Sequence, residues 1–567
     1  MFLFKSCTIK NIFDKIVIAM AAKKYKFVEM SMTKLHLSLA LSSGIFLGIA
    51  WPINGFTFLI FGALIPLLFL ENSIRKDNIK HKGLRVFGYS YLTFLSWNLI
   101  TSWWLINASF IGMAFANLCN SLFYASFFSL FYWAKGRLPL RSAHLFLIAL
   151  WLTFEKLHLT WDFSWTWMNL GNVFSEKIYW IQWYEYTGTF GGSLWVLSIN
   201  IWMFSIIKNF KFEEGLGSFM KKAAPPLIFI ALPIAFSLFL FQRVEPVKPN
   251  VEVILHQPNI DPYSSKYNFT NSQFLTQFSE QIKPYLTEKT DYILSPETYF
   301  AEGYGEKLDG FDQTKLYQKM LREFADYPNV QWVTGIQFYN LYKQNKPPSL
   351  SANKLRDGIW VDYYNSALAI QFRKEAQVYH KSKLVVGVEN MPFKTLLKPL
   401  LGDVLLDLGG TVASRVTQKN RSVFDHPNLK INAGPAICWE AIFGEFMTGY
   451  VSEGADFIAI ISNDAWWANT PGHKQLLSYT RLRAIELRRD IARSANTGIS
   501  AIINAKGEIL LKSEYDTKTI LKGNISPRSN LTFYVRYGDI IGRWAIFITG
   551  VYFLLAISGR LIDKSKT

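Results

Sequence analysis

The chain has 567 residues, 50% hydrophobic, 16% aromatic and 18% charged, with 60 Lys plus Arg against 42 Asp plus Glu for a net charge of +18. The length exceeds one ordinary domain, and the apolar content excludes a disordered chain. Three cysteines are too few for a disulfide scaffold, and the positive charge points first to nucleic acid or an anionic membrane surface.

In chain order, the N-terminal stretch mixes Lys with apolar residues but lacks a clean apolar core and a small-residue cleavage site. No signal peptide is expected there, and Met30 or Met32 is an alternative start to Met1. Seven apolar runs follow: Leu35–Trp51, Gly55–Leu70, Val86–Ile106, Phe110–Trp133, Ala143–Leu159, Ser193–Ile207 and Pro225–Phe241. Each approaches the roughly 20 residues that cross a bilayer. Ala143–Leu159 is the weakest because it holds Glu155 and Lys156. Glu155 reads either as a functional intramembrane carboxylate or as a residue at the outer end of its span. From about Val247 to Pro527 short apolar stretches alternate with polar turns and amphipathic helical stretches, and Ile540–Ser558 forms an eighth run. The expected organisation is a cytoplasmic segment 1–34, seven transmembrane helices in 35–244, an extracytoplasmic domain 245–530, a final transmembrane helix 536–560 and a cytoplasmic tail 561–567.

The charges orient this arrangement. The segment before the first run carries +5, Glu71–Arg85 +3, Lys135 to Arg141 +3, Lys208–Lys222 +2 and the tail after Ser558 +2, together 15 of the 18. All five segments share one side if eight spans alternate, and the opposite loops are nearly bare of Lys and Arg. The basic side is cytoplasmic, which puts the large domain outside. The charge therefore reports membrane orientation, and no nucleic-acid partner is expected.

Within that domain Cys438 is the one cysteine, since Cys7 lies in the N-terminal segment and Cys119 in the fourth run. The stretch Pro435-Ala436-Ile437-Cys438-Trp439-Glu440 reads as a strand ending at a thiol with a helical pattern just beyond. A thiol so placed is either a nucleophile whose thiolate the helix dipole favours, with backbone N–H groups nearby for an oxyanion, or an inert buried cysteine at a strand end. The histidines that could serve it, His256, His380, His426 and His473, lack a convincing triad setting. Tyr292-Ile293-Leu294 reads as a strand that ends in Ser295-Pro296-Glu297-Thr298. Glu297 is either a base reaching into a cleft or a helix-start carboxylate after Pro296. Lys381 ends the strand Gln377–Tyr379 and has Glu389 downstream. It is either a cation held among carboxylates or an exposed surface lysine.

In the order Glu297, Lys381, Cys438 these motifs resemble the nitrilase, or carbon-nitrogen hydrolase, superfamily. So do the strand Ala455–Ile461 leading into Ser462-Asn463-Asp464-Ala465-Trp466-Trp467, a helix over His473–Arg493, and Ser494–Ile499 opening a further strand. That resemblance implies a Glu-Lys-Cys triad on an α-β-β-α sandwich. With seven spans before the domain and one after, the chain from about Leu35 resembles the bacterial apolipoprotein N-acyltransferase family. The expected fold is thus an α-helical membrane bundle of about eight spans plus an α/β nitrilase-like sandwich. Glu389 and Glu440 match acidic positions that support the triad in that family. Leu384-Val385-Val386-Gly387-Val388-Glu389 departs from its usual Leu-Val-Pro-Phe-Gly-Glu, and Trp439 stands where Tyr is common.

The resemblance implies acyl transfer from a phospholipid donor to the α-amino group of a diacylglyceryl-cysteine apolipoprotein, through a thioester on Cys438, at the periplasmic side of the inner membrane. It implies no cofactor and no metal. Trp466, Trp467 and the Trp161–Trp167 cluster are expected as interface anchors or acyl-pocket walls, and the cluster reads equally as an ordinary aromatic belt. Two competing readings are a membrane-tethered amidase or nitrilase hydrolysing a C–N bond, which predicts a polar pocket, and a non-catalytic membrane scaffold.

Overall fold

The computed structural model describes residues 32–559 apart from 246, 249, 262–267, 350 and 391–413. The expected N-terminal segment up to residue 31, with Cys7, Met1 and Met30, and the tail 561–567 lie outside the described residues.

The eight apolar runs are helical. Their helices are Met32–Ala50, Thr57–Phe61 continuing into Ile65–Lys76, Lys82–Ser102, Phe110–Lys135, Leu140–Leu157, Thr189–Asn209, Gly215–Arg243 and Ile540–Ser558. Six are long and apolar enough to cross a membrane. Lys82–Ser102 and Leu140–Leu157 fall outside those limits and turn polar residues inward, Asn98 and Glu155 among them. Glu155 accepts hydrogen bonds from Trp151 Nε1 (3.2 Å), the Leu170 N–H (2.8 Å) and Ser193 Oγ (2.6 Å), so it ties the loop after its own helix to the next one.

Between the last two of these helices lie two β-sheets. One is eight-stranded, with the order Thr519–Ile525, Val251–Gln257, Thr290–Leu294, Gln331–Lys343, Ile359–Ile370, Asn353–Arg356; Glu306–Lys307 pairs with Gln331–Lys343, and Gln377–His380 with Ile359–Ile370. The other is six-stranded: Ile509–Lys512, Ala501–Ile503, Ile491–Ala495, Phe457–Ser462, Asn432–Ile437, Phe424–Asp425. Alternation of side chains along a strand separates the two faces of the first sheet. Val253, Leu255, Tyr292 and Leu294 share a core with Ala436, Ile458 and Ile460 of the second sheet. Their neighbours Ile254 and Ile293 point the other way, onto Phe274 and Phe278 of helix Asn271–Ile282 and Met320 of helix Lys315–Glu323. This is the expected α-β-β-α layering.

The outer helix of the second sheet, Pro471–Leu487, is buried nearly all round, because its far side docks on the membrane bundle. Trp51 Nε1 donates to Tyr479 Oη (2.9 Å), Gln475 Nε2 to Pro52 O (2.6 Å), Trp167 Nε1 to Gln475 Oε1 (2.7 Å) and Ser478 Oγ to Ser175 Oγ (2.6 Å). The helix is shorter than the sequence pattern suggests. It stops at Leu487 because Arg488 adopts a left-handed conformation (φ 49°) and its guanidinium donates to Gln182 Oε1 and Glu185 Oε2, both at 2.6 Å. Ile491–Arg493, read from sequence as the end of that helix, instead forms with Ser494 and Ala495 a buried parallel strand beside Phe457–Ser462.

Candidate active site

Four strand ends converge on one spot, as is general for open α/β sheets. Glu297 follows Thr290–Leu294, Lys381 follows Gln377–His380, Cys438 follows Asn432–Ile437, and Asn463 and Asp464 follow Phe457–Ser462. The turn carrying Glu297 is seated on Gly335: the Gly335 N–H donates to Pro296 O (3.1 Å) and Gly335 O accepts from the Phe300 N–H (3.0 Å). A Cβ at Gly335 would lie 2.3 Å from the Thr298 nitrogen, so only glycine permits this approach.

Lys381 is 1% exposed, and Glu297 and Glu389 are 7% and 8% exposed, so the sequence alternative of a surface lysine does not hold. The Lys381 ammonium lies 2.8 Å from Glu297 Oε1 and 2.9 Å from Glu389 Oε2. Asn365 makes a second bridge between the same carboxylates, its Nδ2 donating to Glu297 Oε1 (2.8 Å) and Glu389 Oε1 (2.9 Å). The Asn463 N–H donates to Glu297 Oε2 at 3.2 Å, and the Val385 N–H to Glu389 Oε2 at 3.0 Å. Burial opposes the Lys381 charge, but the carboxylates of Glu297 and Glu389 outweigh it and hold the ammonium well above the ordinary lysine range. Burial likewise opposes ionisation of Glu389, and Lys381 and Arg415 reverse this and keep it charged.

Cys438 is 7% exposed and sits at φ 49°, a strained conformation for a residue with a side chain, in the sharp turn from strand Asn432–Ile437 into the 3₁₀ turn Cys438–Ile442. Burial and the Glu297 carboxylate push its thiol pKa up, and Lys381 only partly counters them. Of the two sequence readings of this thiol, this environment opposes the dipole-stabilised thiolate. The physical reason is that burial strips water from the thiol and the Glu297 carboxylate faces it, while only a short 3₁₀ turn follows Cys438. The resting thiol keeps its proton.

Glu440, fully buried, does not touch Lys381 directly. Its carboxylate accepts from the Ile437 N–H (2.7 Å), the Ser382 N–H (2.6 Å), Tyr379 Oη (2.7 Å) and Tyr450 Oη (3.2 Å). It thus couples the backbone just after Lys381 to the backbone just before Cys438. Trp439 points away, toward the membrane bundle. Its ring lies 5.7 Å from both Trp165 and Trp167, nearly parallel to Trp167 (17°). Trp467 packs edge-on to Trp167 (5.9 Å) and to Trp104 (5.0 Å). Trp466 is half-buried. In the Trp161–Trp167 cluster, Trp165 and Trp167 wall this array, whereas Trp161 packs on Phe123 (4.8 Å).

Residues 260–530 match the carbon-nitrogen hydrolase family, and residues 43–202 match the apolipoprotein N-acyltransferase N-terminal domain. The chain belongs to the apolipoprotein N-acyltransferase family. The apolipoprotein N-acyltransferase of Chlorobaculum tepidum is 27% identical over 91% of this chain and 96% of its own, and that of Thermotoga maritima 24% over 90% of each. A solved Nesterenkonia AN1 amidase from the nitrilase superfamily is 13% identical, covers 53% of this chain and 99% of its own, and has a TM-score of 0.34. Membership of this family makes the chain an acyltransferase with a nitrilase-like domain and a membrane setting.

Sequence reasoning missed Asn365, which lies in the middle of strand Ile359–Ile370 with no motif around it. Ser462 and Asp464 stand in a sequence motif that by itself gives them no role. Ser462 Oγ donates to Asp464 Oδ1 (2.6 Å), and Arg493 Nη2 donates to Asp464 Oδ2 (2.6 Å) behind the thiol. The four histidines are engaged elsewhere: His256 with Ser295, His380 with Ser366, His426 with Asn329 O and His473 with Ala468 O.

Proposed function

We propose that this enzyme transfers an acyl chain from a phospholipid to the N-terminal amino group of a diacylglyceryl-cysteine apolipoprotein, with Glu297, Lys381 and Cys438 as the catalytic residues. The observation that carries the reading is the Lys381 ammonium clamped between Glu297 and Glu389, beside a strained buried thiol whose neighbour Trp439 stacks on tryptophans of the membrane bundle.

Glu297 takes the thiol proton of Cys438 as sulfur attacks the ester carbonyl of the donor. Lys381 and the Trp439 N–H stabilise the oxyanion. The C–O bond breaks, Glu297 returns the proton to the departing glycerol oxygen, and a thioester remains on Cys438. The lipoprotein amine then attacks the thioester, Glu297 accepts its proton, the C–S bond breaks and the thiol is reprotonated. Glu389 and Asn365 hold Glu297 and Lys381 in register, and Glu440 holds the two backbone segments.

The amidase alternative predicts a polar surround. The wall of Trp165, Trp167, Trp439 and Trp467 is apolar and continuous with the bundle, which favours lipid substrates. A non-catalytic scaffold leaves the charge-paired Lys381 cluster without a purpose. The uneven distribution of Lys and Arg supports a multi-pass protein of the bacterial inner membrane with this domain on the periplasmic side.

The test is acyl transfer from phosphatidylethanolamine to a diacylated lipopeptide. Intact-protein mass spectrometry is expected to show an acyl adduct on Cys438 with phospholipid alone, discharged by the lipopeptide. Absence of that adduct, or full transfer by Cys438→Ala, overturns the proposal.

A further inference from the structure

Two cations stand close to the Cys438 turn without a role in the chemistry above. Lys383 Nζ lies over the rings of Phe443 (5.0 Å) and Phe446 (5.9 Å), and the Arg421 guanidinium lies over Phe446 at 4.3 Å. Arg421 crosses helix Gly444–Ser452 at Gly449, where a Cβ would meet its side chain at 3.1 Å. The two are near enough to repel each other, and burial together with Arg421 lowers the Lys383 pKa.

Their neutralisation differs from that of the cations around them. Lys156 pairs with Glu445 and with Asp539 (2.9 Å), and Arg543 pairs with Glu445 (2.5 Å). Among the described residues Lys383 and Arg421 form no ion pair. Lys383 donates to Leu159 O (3.3 Å) and Arg421 to Lys419 O (3.0 Å), both neutral carbonyls. The nearby carboxylate, Glu440, is already taken up by the Ile437 and Ser382 N–H groups and two tyrosines. A half-buried like-charge pair with aromatic support and no internal counter-ion is suited to an anion brought from outside.

Two further observations identify that anion. Leu159 lies just past the end of helix Leu140–Leu157, the fifth of the spans expected from sequence, and on that reading Lys383 stands where lipid headgroups begin. Lys383 is also two residues from Lys381, and its own N–H approaches Glu440 Oε1 at 3.3 Å, on the same strap that positions Cys438. A group held there travels with the reacting ester.

We propose that Lys383 and Arg421 bind the phosphodiester of the donor glycerophospholipid and so set its ester beside Cys438. This deepens the function proposed above and rests on it. The acceptor, a diacylglyceryl-cysteine, has no phosphate. The pair therefore distinguishes the two lipids that must use one thiol in turn: it holds the donor for acylation and offers the acceptor nothing.

The experiment compares two acyl donors with the full-length protein in mixed micelles: phosphatidylethanolamine, and p-nitrophenyl palmitate, an ester without phosphate. Acyl-Cys438 formation is followed for the unsubstituted enzyme and for Lys383→Gln, Arg421→Gln and the double variant. Each single change is expected to lower the efficiency ratio of phospholipid to aryl ester about tenfold, mainly through KM, and the double change by more. Lys383→Arg is expected to recover most of the ratio. An unchanged ratio, with both donors equally impaired or neither affected, overturns the phosphate site while leaving the function above intact. No adduct from phospholipid on the unsubstituted enzyme overturns the function itself, and the site with it.

Discussion

The carboxylate of Glu440 accepts the backbone N–H of Ser382 at 2.6 Å, joining the loop that carries Cys438 to the loop that carries Lys381. The same carboxylate accepts the Ile437 N–H at 2.7 Å. Glu440 therefore acts through the backbone and through no group that touches substrate. Glu440→Gln can keep one acceptor oxygen but presents two donors to a ring of donors. We expect it to lower acylation of Cys438 by about 10²-fold, as displacement of aligned groups by about 1 Å does. Glu440→Ala, which leaves several buried donors unpaired, also lowers thermal stability. A Glu440→Gln enzyme acylating at the normal rate would show that the strap is dispensable.

Asn365 donates from one nitrogen to both Glu297 and Glu389. Hydrogen bonds to charged groups are worth about 1.5–3 kcal/mol each. Asn365→Ala is expected to slow acylation by about one to two orders of magnitude with little change in phospholipid KM. Asn365→Asp sets a third carboxylate against two others and is expected to be worse than Ala. Single-turnover acylation rates of the two variants check the order; Asp equal to wild type contradicts it.

Burial and the Glu297 charge raise the Cys438 thiol pKa, so the neutral thiol dominates around neutral pH. Thiolate is the species that alkylates. The rate of iodoacetamide labelling at Cys438 is therefore expected to rise steadily from pH 6 to 9, by about tenfold per unit, without levelling off. A plateau near pH 7 would mean a stabilised thiolate and would remove the need for Glu297 as base. Enzyme turnover is not expected to follow this curve, because Glu297 takes the proton during attack.

Trp167 is fully buried and joins Trp439 on one side to Trp104 on the other, while its Nε1 donates to Gln475. Trp167→Ala is expected to destabilise the protein by about 3–5 kcal/mol through the cavity it opens. Trp167→Phe keeps most of the packing and loses the hydrogen bond, for a cost of about 1 kcal/mol. Thermal unfolding in detergent separates the two. If both variants melt with the wild type, the aromatic array is not what docks the domain on the bundle.

Glu486, on the helix between sheet and bundle, is fully buried, 2.8 Å from Arg483, and accepts the Thr189 N–H (3.1 Å). Burial raises its pKa to about 7, against an unfolded value of 4.5. Between those values the folded protein holds a proton that the unfolded chain has lost, so stability falls as pH rises through this window and levels off above it. Relative to Glu486→Gln, which has no such proton, the wild-type melting temperature is expected to fall between pH 5 and 7. A constant difference between the two proteins across this range contradicts the assignment.

By itself the sequence determined the features that depend on neighbours in the chain. Apolar runs of membrane-spanning length, basic residues at their alternate ends, and Glu297, Lys381 and Cys438 each just past a short apolar strand are all local patterns. Run length, flanking charge and strand period are properties of a few consecutive residues. The tertiary structure alone decided what depends on residues far apart. It put Asn365 between two carboxylates and Trp439 against Trp165 and Trp167. It raised the Cys438 pKa by burying the thiol and facing it with a carboxylate, and it ended helix Pro471–Leu487 at an arginine bound to the bundle. Burial, counter-charge and ring stacking exist only once distant segments meet. For that reason the candidate catalytic groups were legible in the chain, and their protonation and alignment were not.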